Sequence, residues 1–569
     1  MQINGYKIKL SDEELEEIVG RKTRDIELIG PENETYAGLP DGDKKALAHL
    51  IKAAEMINNV ALEQDHPLNL SLKKALEENF DSSKTVQNAY KLFVSLNGVA
   101  GLNGIDPEPI EIFEGVHQTK GKNFYPADLS VEEFHDILLK MFERGKTYEI
   151  GRILSNRTMV RRLGDELTAI DYTKYFEKEF SFIANELEVA AHYTTEHEFE
   201  DFLSWQAQAL LQENEDMDML ADKHWAVLQT NNLEFTISRE NYEDEFTGTV
   251  FENENLKMLI EQHQIEVNPK DTLGCRIGLN NKKGTDLILK SKDTLSYLAA
   301  KMPYKEQYVQ KIEKDAKQAM VDVDLMVLSG DYAMCRGGVT TAQNLPNDDK
   351  LAVKTGGGRR NVYHRQVRFS HDKERTQKLL DALVEKSLHQ YYQADMLHHF
   401  VIGHENGHSL GPDSSYKNAL GPYAHIIEEH KANTISAAFL GDVARQFGTY
   451  SAFEVRQIYT TWVVSLFLRA KPVLSKPHRV ADLIEFNFLL AHKAIFFDAA
   501  GKLNIDFEKM EPTLHLLLNE TIKVQLSKSA RAAKSFIDQW SDWSDISAHI
   551  ADVQNKLGIK PYIRLITKF

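Results

Sequence analysis

Only two cysteines, Cys275 and Cys335, occur in 569 residues, so the chain has no disulfide framework and no thiolate metal site. Proline is scarce at 15 residues and 42% of the chain is hydrophobic, which excludes a disordered chain. No stretch reaches the roughly 18 uninterrupted apolar residues of a membrane span. The amino terminus, Met-Gln-Ile-Asn-Gly-Tyr-Lys-Ile-Lys-Leu, lacks an apolar core of signal-peptide length. Positive charge is in deficit, 67 Lys and Arg against 85 Asp and Glu, for a formal net charge of -18. Charge of that sign disfavours adhesion to nucleic acid or anionic membrane and attracts cationic peptides. These absences predict a soluble protein of the reducing cytoplasm with no nucleic-acid or membrane partner. Its length predicts two substantial lobes instead of one core.

Against this plain background stands His404-Glu405-Asn406-Gly407-His408. Two imidazoles four residues apart on a helix point the same way and can close on one metal ion. The glutamate between them is suited to act as general base, the zincin pattern. Spaced apolar residues from Leu383 to Ile402 predict a helix running into the motif, and Gly411-Pro412 predicts its end. A second helix is predicted from about Tyr423 to Phe439, with Glu428 and Glu429 in its middle. Two histidines and one carboxylate make a complete and open set for one Zn²⁺ ion per chain. Glu429, 21 positions after His408, is the third ligand in this reading. Glu428 is rotated from it by about 100° and suits a different task, accepting a hydrogen bond from the outer N–H of a ligand histidine. Asn433, one turn beyond Glu429, can do the same through its amide oxygen.

HExxH, or its one-residue-longer form, combined with a downstream Glu-Glu-x-Arg/Lys-Ala helix resembles the dipeptidyl peptidase III family of zinc exopeptidases. Here the second element reads Glu428-Glu429-His430-Lys431-Ala432-Asn433. Three further segments are similar to that family: Asn344-Leu345-Pro346-Asn347, Glu240-Asn241-Tyr242 and Ala491-His492. The resemblance implies that Glu240 binds the free amino terminus of a peptide and that Asn344 and Asn347 hold its backbone. It implies that Tyr242 and His492 assist at the scissile carbonyl. Taken alone, the same residues also read as a turn signal, an acidic loop and a core histidine. The motif here is one residue shorter than in most family members, Phe496 stands where an Arg is usual one turn after the late histidine, and Asn433 replaces an acid.

The expected function is removal of dipeptides from the free amino terminus of short peptides, by a monomer or homodimer. An aminopeptidase, an oligopeptidase with a relaxed cleavage position and a catalytically weak peptide-binding protein remain alternatives. The fold class expected is α+β, mainly helical, with two lobes around a wide cleft. One is a mostly helical zinc-binding lobe and the other a mixed lobe with a small β-barrel core, as the resemblance implies. The mixed lobe is expected over 1–265, completed by about 320–375 and about 530–569. The zinc-binding lobe is expected over 266–319 and 376–529. Helical patterning is read at 11–20, 43–63, 70–95, 130–145, 172–212 and 305–317. Strands are read at Leu233–Ile237, Val321–Leu328, Asn361–Phe369 and Tyr562–Phe569.

Overall fold

The computed structural model describes residues 1–26, 32–99, 110–212, 215–241, 244–309, 319–331, 342–345, 360–364, 373–412, 416, 419–467, 477–542, 545–558 and 564–567. The chain is mainly helical and divides into two compact units. The first comprises Met1–Asn281, Lys317–Val367 and Pro561–Phe569, and the second Lys282–Ala316 and Arg368–Lys560. No helix among the described residues is long and apolar enough to cross a membrane.

The first unit is built on a five-stranded mixed sheet. Its strands are β1 (Leu233–Asn241), β2 (Asp271–Asn280), β3 (Ala319–Gly330), β4 (Ala342–Leu345) and β5 (Arg360–His364), in spatial order β1-β2-β3-β5-β4. Neighbours run antiparallel except β3 and β5, which are parallel. Leu233, Phe235, Cys275, Ile277, Val321 and Val323 bury one face in a core shared with the long helix α1 (Asp41–Asp65) and with α2 (Glu177–Tyr193). Helix α3 (His197–Gln212) adds Phe199, Phe202 and Leu203 to the same core.

The boundary expected at 265/266 moves to 281/282, because β2 pairs with both β1 and β3 and is buried at every position. Residues 530–560 belong to the second unit, where Ala533, Phe536 and Ile537 pack against Val480, Ile484 and Leu517. The single helix expected over 172–212 is broken at Thr194-Thr195. Buried Asp43 takes up the Thr195 N–H and both threonine hydroxyls there, satisfying donors that a continuous helix would use internally. Helix 70–95 likewise separates into Asn69–Glu78 and Lys84–Leu96. Of the helix expected at 305–317, Lys305–Gln307 forms a 3₁₀ turn and 310–317 lie outside the described residues.

In the second unit the metal-motif helix is α4 (Met396–His408), and α5 (Ala424–Ala438) crosses it. The helix expected from Leu383 does not run through into the motif. It stops at Leu383, a 3₁₀ segment Lys386–Tyr391 follows under the Glu385 cap, and α4 begins anew at Met396. Two more helices complete the surroundings, α6 (Pro477–Ala491) and α7 (Phe507–Leu526). Phe400, Ile435, Trp462, Phe486, Leu514 and Leu518 form the core that holds these elements together.

Candidate metal centre

Glycine spacing decides how closely α4 and α5 approach. A Cβ on Gly403 would stand 2.3 Å from Ser436 Oγ, and one on Gly407 would stand 2.8 Å from the Ala432 carbonyl oxygen and 2.9 Å from its Cα. Both glycines precede a metal-type histidine by one position, so the helix face that packs on α5 is adjacent to the face that carries His404 and His408. The Gly407 contact is with backbone, which cannot swing aside. Gly407→Ala is therefore expected to destabilise the second unit by about 1–3 kcal/mol, through forced separation of the helices. An unchanged midpoint in thermal unfolding of the metal-free protein would refute this account of the crossing.

The crossing brings together His404, His408 and Glu429. His404 Nε2 and His408 Nε2 are 3.1 Å apart, and Glu429 Oε2 lies 3.3 Å from the first and 3.6 Å from the second. Donors at 2.0–2.1 Å from a tetrahedral ion are about 3.3 Å from one another, so these three atoms match three corners of such a site. The outer ring atoms settle the tautomers. His404 Nδ1–H donates to Asn433 Oδ1 at 2.7 Å, and His408 Nδ1–H donates to Glu428 Oε1 at 3.0 Å. When both rings are neutral each Nε2 turns its lone pair inward, where two lone pairs at 3.1 Å repel unless a proton or a metal ion lies between them. A divalent cation fits that requirement.

Electrostatics agree. Burial pushes the Glu429 carboxyl up, but the His404 hydrogen bond and the nearby His408 and His478 outweigh it, and it falls to about 2. Burial pulls the His404 imidazole down, yet Glu429, Glu405 and Asn433 hold it above its ordinary value. Glu405 is half-buried on the turn of α4 between the two histidines. His430, next to Glu429 in the chain, is turned elsewhere and bonds to Glu485 at 3.2 Å and to Thr521 at 3.0 Å.

His492, the histidine expected at the carbonyl, does not lie in this group. His492 lies just past the end of α6, exposed, with Nδ1 2.9 Å from the Phe488 carbonyl and its ring stacked on Phe488. His478, on the first turn of the same helix, puts Nδ1 3.2 Å from Glu429 Oε2. Fourteen residues of helix separate the two, about 21 Å along the axis, so His492 is not part of this group. Pro477 marks the helix start and so places His478 on the first turn, but nothing in the sequence ties that turn to Glu429. One turn after His478 stands Asp482.

The other expected site residues belong to the first unit. Glu240 is in the last stretch of β1, opposite Thr272 of β2, and Asn344 is in β4, opposite Asn361 of β5. Tyr242 and Asn347 lie outside the described residues. A second acid-and-histidine group, Asp442, Glu511 and His515, is already neutralised by Lys301 and Arg445.

No family model matches the chain. Nudix hydrolase 3 of Arabidopsis thaliana is 23% identical over 561 residues, which cover 88% of this chain and 68% of that protein. Two solved structures resemble it over nearly their full lengths. Dipeptidyl peptidase III from Caldithrix abyssi superposes with a TM-score of 0.75 at 21% identity, covering 93% of this chain and 95% of that one. Dipeptidyl-peptidase III from Corallococcus sp. strain EGB gives 0.67 at 20% identity, covering 98% and 97%. A mainly helical chain in two units, with a mixed sheet in one and a crossed-helix metal group in the other, has the dipeptidyl peptidase III fold.

Proposed function

We propose that the protein is a zinc-dependent exopeptidase that removes dipeptides from the free amino terminus of short peptides. The observation that carries this reading is the three-donor group with a carboxylate, Glu405, on the turn between its two histidines. His404, His408 and Glu429 would hold the ion. Zinc, when bound, supplies a Lewis acid and lowers the pKa of water toward about 7. Glu405 takes the proton of the attacking water and delivers one to the leaving amine. His478, 3.2 Å from the Glu429 carboxylate, assumes the role expected of His492 and donates to the oxygen of the scissile carbonyl, with Tyr242 as a second donor. Loss of one such donor costs about 10²–10³ in rate. Glu240 pairs with the substrate ammonium, and Asn344 and Asn347 hold the peptide backbone. The resemblance supports these last roles.

Product masses test the reading. Free and N-acetylated peptides of three to ten residues are incubated with the purified protein, and intact amino-terminal dipeptides are expected from the free peptides alone. Single residues would indicate an aminopeptidase, internal cuts an oligopeptidase, and no products a peptide-binding protein. Nothing in the metal group selects the activity for which the Arabidopsis relative is named.

Acid should release the metal in a defined direction. The ion must displace the proton of His404. Burial lowers the affinity of that imidazole for its proton, but Glu429 and Glu405 more than offset this. A raised pKa keeps the protonated form to higher pH, so zinc affinity falls as pH drops through that pKa, approaching about tenfold per pH unit below it for one displaced proton. Chelator competition at pH 6, 7 and 8 measures the slope, and a flat profile would remove His404 from the ligand set.

A further inference from the structure

Lys431 is fully buried on α5, two residues from the carboxylate that faces the metal group. An ammonium ion in that position is costly unless it is paired and hydrogen-bonded. Its partners are specific. Lys431 Nζ stands 3.0 Å from Glu428 Oε1, one turn back on the same helix, and donates to the Leu410 carbonyl at 2.5 Å. Glu428 Oε1 is the atom that accepts the His408 Nδ1–H, and Glu428 Oε2 accepts from Gln525 Nε2 on α7 at 3.3 Å. Gly411, at a φ of +98°, turns the chain over this lysine; a Cβ there would meet Lys431 Cδ at 3.2 Å.

One buried cation therefore grips His408 from two sides. It fixes the carboxylate that orients the ring, and it fixes the main chain two residues beyond the ligand. His404 has no equivalent, since its outer N–H rests on the neutral amide of Asn433. The two imidazoles are held by different means, one by an amide and one by an anchored ion pair.

We infer that Lys431 is a positioning residue for the metal, acting through Glu428 to set the orientation and donor strength of the His408 ring. This rests on His404, His408 and Glu429 being the ligands. Without the lysine, the Glu428 carboxylate loses the charge that holds Oε1 in place, and the ring it supports can rotate. Partners of this kind change metal affinity by about 10–100-fold when removed.

The test is zinc affinity by chelator competition, together with the visible absorption of the Co²⁺-substituted protein, for the parent, Lys431→Met and Lys431→Arg. Lys431→Met should bind zinc about 10–100-fold more weakly and shift the Co²⁺ bands, and Lys431→Arg should recover most of both. Parental affinity and spectrum in Lys431→Met would overturn the inference. Should that variant fail to fold, the double change Glu428→Gln with Lys431→Met removes the buried pair together and is compared with Glu428→Gln alone. Near-equal affinities are expected if the lysine acts mainly through Glu428, and a further loss in the double variant as large as that of Glu428→Gln itself would place its action on the Leu410 main chain and overturn the inference. Failure of the ligand reading looks different: His404→Ala and Glu429→Ala would then leave parental zinc affinity unchanged.

Discussion

Glu405→Gln should keep the fold and the metal while lowering peptide cleavage by about 10²–10⁴-fold, the usual contribution of a positioned general base. The side chains are nearly equal in shape, so the change isolates the proton-accepting function. Glu405 is not one of the three donors that converge within ligand distance, and the histidines on either side take their orientation from Asn433 and Glu428 instead. Zinc content should therefore stay at the parental level. One electrostatic effect is expected: the Glu405 charge helps to hold the His404 proton, so in the metal-free variant that proton should be released at lower pH. Turnover on a peptide with a free amino terminus, read beside metal content, decides the matter. Parental turnover with zinc in place would rule out Glu405 as the base, whereas lost zinc would show that the variant had damaged the site.

How far the sequence could carry this site depends on distance along the chain. His404, Glu405 and His408 lie within one helical turn and a fraction, and helical geometry alone turns both imidazoles the same way. Glu429 was legible because the helix bearing it, read as about Tyr423 to Phe439 and found as Ala424–Ala438, follows the motif directly. His478 was not, since it comes 49 residues after Glu429 and nothing local distinguishes an exposed histidine on a first turn from a solvated one. The choice of His492 followed the resemblance of Ala491-His492 to the family's late histidine, whereas packing of α6 brings the helix's other end, with His478, to Glu429. The same limit explains the misread elements. Thr194-Thr195 contains no helix breaker, and the acceptor that opens the helix there, Asp43, lies about 150 residues earlier. Strand β2 carries Gly274 and Gly278 and is buried throughout, so it has no alternating pattern. Gly278 is required by its partner strand, since a Cβ there would stand 2.2 Å from Val323 Cγ1.

Unit one should be equally sensitive at a position with no part in catalysis. Glu234→Gln is expected to lower its stability by about 3–5 kcal/mol, the cost of breaking a buried ion pair by removing one partner. Glu234, Arg276 and Arg360 are all fully buried. The Glu234 carboxylate receives Arg276 Nη2 and Trp225 Nε1 on one oxygen, both at 3.0 Å, and Arg360 Nη1 on the other at 2.6 Å. Arg360 lies over the Trp225 ring, and Arg276 Nη1 reaches His364 Nε2 at 2.9 Å. A neutral amide would leave two guanidinium groups sharing no anion at this point, in surroundings where burial already drives the Arg360 pKa down. Hydrogen exchange over 233–241 and 271–280 reads the effect directly, because the network joins β1, β2 and β5. Replacing all three charged residues by apolar ones of similar volume should cost less than the single change, since no uncompensated charge remains. That triple variant separates stability from alignment. In a sheet, a slip of one residue moves every side chain to the opposite face, and a carboxylate shared between two strands' arginines penalises any such slip. Glu240 and Asn344 lie on strands of this same sheet, opposite Thr272 and Asn361. The triple variant should therefore remain folded yet lose peptide affinity if the network serves to hold those positions in register, and it should keep parental KM if the network serves stability alone.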